Sequence, residues 1–182
     1  MAVRTIIRMG HPTLRQKAEP YPEADIGSQH FQDLVFDLKD TLSATGNGIG
    51  LAAPQINVSY RVALIDIPGP STRYGPVTPM PSKIYVNPQI TVLEEDVAGY
   101  WEGCLSVPNM MGFVERPQYI RVDFLNDQGK QESVKLGGFL ATVFQHEFDH
   151  LDGLLYVDRL KDTRMFSFDE EYSTYHLPSD QQ

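Results

Sequence analysis

The sequence predicts an α+β fold, with mixed or antiparallel strands packed around a C-terminal helix that carries His-Glu-Phe-Asp-His and a further helix near the N-terminus. Three observations predict it. A helical repeat of apolar residues lies early, strand signals cluster in the middle, and a second helical stretch follows them. Strands grouped between two helices, instead of alternating with them, argue against βαβ units. The 182 residues are close to the length of one domain, about 150 residues, so residues 1–182 are read as a single unit.

The elements follow in order. Proline is favoured in a first helical turn, so a short helix is expected to begin at Pro12. Ser28 is a suitable N-cap, and Phe31, Leu34, Val35, Leu38 and Leu42 recur at helical spacing up to a stop at Gly46. Residues 46–55 (GNGIGLAAPQ) are too glycine-rich for regular structure. Residues 61–67 read as a strand, and the proline-loaded stretch 68–82 as a loop. Strand signals return at 84–86 and 89–93, around Asn87-Pro88, and again at 119–125 and 132–136. A hairpin turn at Asn126-Asp127-Gln128-Gly129 joins the last two. A helix is expected over 139–151, and residues 166–182 are expected to be an acidic, irregular tail.

Composition narrows the partners. Hydrophobic residues make up 41% and charged residues 21%, enough apolar content for a core without disulfides. The formal net charge of −9 disfavours nucleic acid and anionic membrane surfaces. No apolar run is long enough to span a bilayer. Arg4 and Arg8 break the apolar residues of the N-terminus, so no secretory signal is expected. A single cysteine fits the reducing cytoplasm.

The chemistry-bearing pattern is Gln145-His146-Glu147-Phe148-Asp149-His150. Four residues apart on a helix, His146 and His150 stand one above the other and can grip one metal ion. Glu147 beside them is a candidate general base. At helical spacing Phe139, Val143, His146 and His150 fall within about 60° of one another, so the histidines share an inward apolar wall, with Ala141, Gln145 and Asp149 opposite. Burying such groups without a partner would be costly, which favours a metal. A catalytic site needs a third protein ligand and an open position. Cys104, in Trp101-Glu102-Gly103-Cys104-Leu105-Ser106, and Glu170, twenty residues after His150, both remain open for that role. His11, His30 and His176 have no partners at ligand spacing and read as surface or capping residues.

Three motifs together resemble the peptide deformylase family over residues 3–165: Gly48-Ile49-Gly50-Leu51-Ala52-Ala53-Pro54-Gln55, then Glu102-Gly103-Cys104-Leu105-Ser106, then Gln145 to His150. The resemblance implies Cys104, His146 and His150 as metal ligands. It implies Fe2+ as the metal in vivo, with Ni2+, Co2+ or Zn2+ able to replace it in purified protein. The substrate it implies is the N-terminal formyl-methionine of new polypeptides, and the reaction is removal of the formyl group. A bound divalent ion lowers the pKa of its water from 15.7 toward about 7, so that it attacks the formyl carbon. Glu147 would take the proton and pass it to the leaving amine. The resemblance assigns the oxyanion to the Gln55 side-chain amide and the Leu105 backbone N–H.

It further implies an extended peptide paired with the backbone near Ile49, Gly50 and Gly103. Phe139, Thr142 and Val143 lie one to two turns before His146 and can line an apolar slot for methionine. Glu102 and Arg116 match positions that pair behind the cysteine as structural support. Met111 stands where many members carry a basic residue, which implies a more apolar rim. Some members end in a basic helix used for ribosome docking. This chain has Asp169-Glu170-Glu171 there, so any ribosome association is expected to take another route.

Overall fold

The computed structural model describes residues 3–72 and 75–177. A 3-10 turn, Pro12–Arg15, comes first, with the His11 side chain accepting from the Thr13 N–H as its cap. Helix α1 spans Gln29–Thr45. The Ser28 hydroxyl accepts from the Phe31 N–H at 3.2 Å, and Gly46 ends the helix at φ 75°, a left-handed conformation that glycine adopts without steric cost. Strand β1 (Gly50–Ala52) leads into a 3-10 turn, Ala53–Ile56, and then β2 (Val62–Ile67). The short pair β3 (Ser71–Thr72) and β4 (Gly75–Pro76) precedes two long strands, β5 (Met80–Cys104) and β6 (Val107–Leu125). After β7 (Gln131–Gly137) comes α2 (Phe139–Asp149), continued by a 3-10 turn at His150–Asp152. Strand β8 (Phe166–Phe168) and helix α3 (Asp169–Tyr175) follow.

The main sheet is antiparallel, in the order β1-β2-β5-β6-β7, with β8 added to β6. Strand β2 shows why it sits centrally. Val62 and Leu64 pack with Phe31, Leu34 and Leu38 of α1, while Ala63 and Ile65 pack with Phe144 and Phe148 of α2. Alternate residues thus serve opposite faces, so the strand reads as a nearly continuous apolar run. The two helices cover the two faces of this part of the sheet and leave α2 deeply buried.

Five expectations are corrected. Residues 46–55 are not wholly irregular, because Gly50, Leu51 and Ala52 pair with Ile65, Leu64 and Ala63. The stretch 68–82 contains the β3–β4 pair and the start of β5, and its residues 73–74 lie outside the described ones. The signals on either side of Asn87-Pro88 belong to one strand. Asn87, at φ 50°, sits where the β5–β6 register shifts, so the proline occupies a bulge. Residues 94–118, given no strand in the sequence reading, form most of the β5–β6 hairpin. Residues 166–177 are ordered as β8 and α3, because backbone pairing to β6 and aromatic contact with Trp101 replace the missing local signals. Residues 178–182 lie outside the described ones.

Candidate metal centre and active site

Two elements build the centre. Helix α2 carries His146, and the 3-10 turn that continues it carries His150 on the same side, their rings 5.2 Å apart. Strand β5 ends at Cys104, where the β5–β6 register shifts and turns the thiol toward the helix. The Cys104 Sγ lies 3.4 Å from His150 Nε2, and one donor atom from each of Cys104, His146 and His150 falls within 4.8 Å of the others. All three residues are buried. Among the described residues this is the one such cluster. Glu170, the rival third ligand, sits instead on α3 beside Asn109, Phe168 and Glu171.

A chain of buried charge fixes the first histidine. His146 Nδ1 lies 2.7 Å from a Glu102 oxygen, which leaves Nε2 for the cluster. The Arg116 guanidinium donates to both Glu102 oxygens, at 2.7 and 3.0 Å, and to Asp149 at 2.8 Å. Asp149 also accepts from Arg159, at 2.7 and 3.1 Å. The expected Glu102–Arg116 pair is present, and the sequence reading missed its extension through Asp149. Asp149 and Gln145, on the side of α2 opposite the histidines, are also buried. Gln145 donates to the Pro117 and Ala141 carbonyls. On its other face the His146 ring stacks on Tyr156, 6.0 Å away and 18° from parallel.

These surroundings set the protonation states. Burial alone would raise the Cys104 thiol, but the His150 and His146 rings outweigh it and hold the thiol well below its usual range. Burial alone would lower His146, but hydrogen bonds to Cys104 and Glu102 raise it well above the usual imidazole range. Before a metal binds, the site thus pairs a Cys104 thiolate with a protonated His146, and an incoming divalent ion would displace that proton from the ring. Glu147 is pushed up by burial, against the opposing pull of the two imidazoles, the direction expected of a proton-transfer group. Its Oε2 is buried with no hydrogen-bond partner among the described residues, and His150 Nδ1 is in the same state. One thiolate and two imidazoles at the floor of a cleft suit a borderline divalent ion such as Fe2+, Co2+, Ni2+ or Zn2+.

The cleft over this cluster collects the other expected residues. One part is lined by Gly48, Ile49, Gly50, Gln55, Gly103, Cys104, Leu105, His146 and Glu147. The adjoining part is lined by Ile49, Trp101, Glu102, Gly103, Phe139, Thr142, Val143, His146 and Glu147. Gln55 is buried. Its Oε1 accepts from the Ala52 N–H at 2.8 Å, and its Nε2 lies 3.2 Å from Ser106 Oγ and 3.7 Å from Cys104 Sγ. The amide therefore both caps its own turn and aims a donor at the centre. Met111 is only 3% exposed and pairs with Ser167 of β8, so it forms no rim. Ser106 and Trp101, named only as neighbours of Cys104 in its motif, were given no role, since their places in the site depend on contacts far away in sequence. His176, read as a surface or capping residue, is exposed but packs 4.9 Å from Trp101.

The family profile described as polypeptide deformylase matches residues 3–165. The chain is 42% identical over 174 residues to a peptide deformylase of Leptospira biflexa, covering 96% of this chain and 97% of that one. It is 43% identical over 174 residues to peptide deformylase 1 of Prochlorococcus marinus, covering 96% and 89%. Among solved structures, a Met-Ala-Ser-bound class I type b peptide deformylase from Acinetobacter baumannii superposes with a TM-score of 0.82 at 33% identity, covering 87% of this chain and 99% of that one. The peptide deformylase of Thermotoga maritima gives 0.75 at 33% identity, covering 89% and 100%.

Proposed function

The chain belongs to the peptide deformylase family, whose reaction removes the formyl group from new polypeptides, and we propose how its own residues perform that hydrolysis. Cys104, His146 and His150 hold one divalent metal ion, Fe2+ in the cell, with Ni2+, Co2+ or Zn2+ able to replace it in purified protein. The observation that carries this reading is the convergence of the mid-chain thiol on the imidazoles of His146 and His150. When bound, the ion supplies Lewis acidity that makes water nucleophilic near neutral pH.

The remaining work falls to the protein. Glu147, its carboxyl raised by burial, takes a proton from the attacking water and delivers it to the departing amine. The Gln55 Nε2 and the Leu105 backbone N–H donate to the oxygen that gains charge as the formyl carbon becomes tetrahedral; losing one such donor costs about 10²–10³ in rate. Glu102 and Arg116 support the site by orienting His146. The backbone at Ile49, Gly50 and Gly103 pairs with the peptide, so that many sequences fit. Phe139, Thr142 and Val143 with Ile49 receive the methionine side chain.

The substrate is the formyl-methionine end of nascent chains. Helix α3 begins Asp169-Glu170-Glu171, so it offers no basic face of the kind used for ribosome docking. The net charge of −9 supports no nucleic-acid or anionic-membrane partner. Among the described residues no helix is long and apolar enough to cross a membrane. The buried lone thiol supports a cytoplasmic, reducing setting, and we read the 182 residues as one domain. The test is formate release from a formyl-methionyl peptide by anaerobically purified protein, with metal measured on the same sample. One equivalent of metal and turnover lost on chelation are expected; cleavage of internal peptide bonds without deformylation would overturn the reading.

A further inference from the structure

The wall of the cleft that precedes Cys104 is gripped from both sides. Successive residues of a strand face opposite ways. Along β5, Tyr100 and Glu102 reach α2: the Tyr100 ring lies 5.3 Å from Phe139, and Glu102 binds His146. Trp101 between them reaches the C-terminal segment. Its ring lies 5.0 Å from Tyr172, 4.9 Å from His176 and 6.0 Å from Phe113. Strand pairing fixes where that segment sits. Phe166 and Ser167 of β8 pair with Gly112 and Met111 of β6, and these two pair in turn with Glu102 and Gly103 of β5. A ladder of three strands therefore ties residues 166–168 to the residues just before the thiol. Trp101, Glu102 and Gly103 all line the cleft beside Phe139, Thr142 and Val143.

We propose that β8 and α3 form a clamp that holds the Trp101–Gly103 wall against the slot for the first substrate residue, with Tyr172 as its positioning residue. The proposal rests on the deformylase reading. None of the chemical steps uses Tyr172 or His176. A clamp of this kind acts on how closely the wall follows a long side chain. A methionine that fills the slot depends on it, whereas an alanine that barely enters does not.

The test uses the full, metal-loaded chain with formyl-Met-Ala-Ser and formyl-Ala-Ala-Ser peptides. Tyr172→Ala is expected to raise KM for the methionyl substrate about three- to tenfold, the scale of a lost aromatic contact, with kcat and metal content unchanged. KM for the alanyl substrate should move by less than about twofold on the same scale. Tyr172→Phe should restore the methionyl KM. Trp101 is the chain's one tryptophan, so its fluorescence reports the wall directly. Unformylated Met-Ala-Ser should shift its emission, saturating at correspondingly higher concentration in Tyr172→Ala. If that variant does not fold, His176→Ala, at an exposed position, should give a shift in the same direction. Equal KM changes for both substrates, or none, would overturn the clamp while leaving the deformylase reading standing. Wild-type protein that releases no formate would overturn both.

Discussion

Gly50 lies directly against Glu147: a Cβ on Gly50 would stand 2.5 Å from the Glu147 carboxyl carbon and from its Oε1. The glycine is required here for close approach, since its φ is not among the positive ones. Strand β1 presses its backbone onto the Glu147 carboxylate, and only the absence of a side chain lets the two coexist. We therefore expect Gly50→Ala to displace Glu147, lowering kcat about 10²-fold, the cost of a misplacement near 1 Å. Metal content should not change. Wild-type kcat in this variant would show that the contact does not position the carboxylate.

Glu147→Ala removes the group assigned to proton transfer but none of the ligand atoms. Turnover should fall about 10²–10⁴-fold, while one equivalent of metal is retained. Parallel metal analysis and single-turnover formate release check this. Near-normal turnover would remove Glu147 from the chemistry.

Asp149 and Arg159 separate buried from exposed charge. Asp149 is 7% exposed and compensates Arg116, whereas the Arg159 side chain is 47% exposed. Asp149→Asn leaves the buried guanidinium facing Glu102 alone and should destabilise the fold by about 3–5 kcal/mol. Arg159→Ala should cost only about 0–1 kcal/mol. Urea midpoints for the two variants, compared at unchanged slope, provide the check.

Much of the architecture could be read from the residues, and the failures share a cause. Helix α1 was legible because Ser28, the apolar repeat and Gly46 are all local signals. His146 and His150 were legible from their helical spacing, whereas Cys104 was set above Glu170 only by the family resemblance. The β5–β6 hairpin between residues 94 and 118 was not legible. Gly99, Gly103, Gly112, Pro108 and Pro117 interrupt it, and Glu94, Glu95 and Asp96 are exposed at its far end. Its strand character comes from the neighbour it pairs with. Asp149 carried no readable role because Arg116 and Arg159 reach it only in three dimensions. The same holds for α3, whose reason to be ordered is Trp101, far back in the chain.

Tyr85 offers a test of the core independent of the active site. It is 1% exposed and packs against Phe124, Phe144 and Phe148. Burial, with a smaller contribution from Glu132, raises its phenol well above the ordinary value of 10.0. The folded state thus holds this proton more tightly than the unfolded chain. The corresponding stability is fully present below pH 10.0 and is lost as pH rises toward the folded value. Tyr85→Phe should lose less stability than the wild type on going from neutral pH to above that value. Parallel alkaline losses in denaturant titrations would contradict the assignment.

The central claim is that one thiolate and two imidazoles of this chain surround a single cation. Metal-edge X-ray absorption on anaerobically purified protein tests it most directly. For a zinc-substituted sample the expected shell is one sulfur at about 2.3 Å and two nitrogens at about 2.0–2.1 Å, with an oxygen in the remaining position. A shell without sulfur would contradict the account.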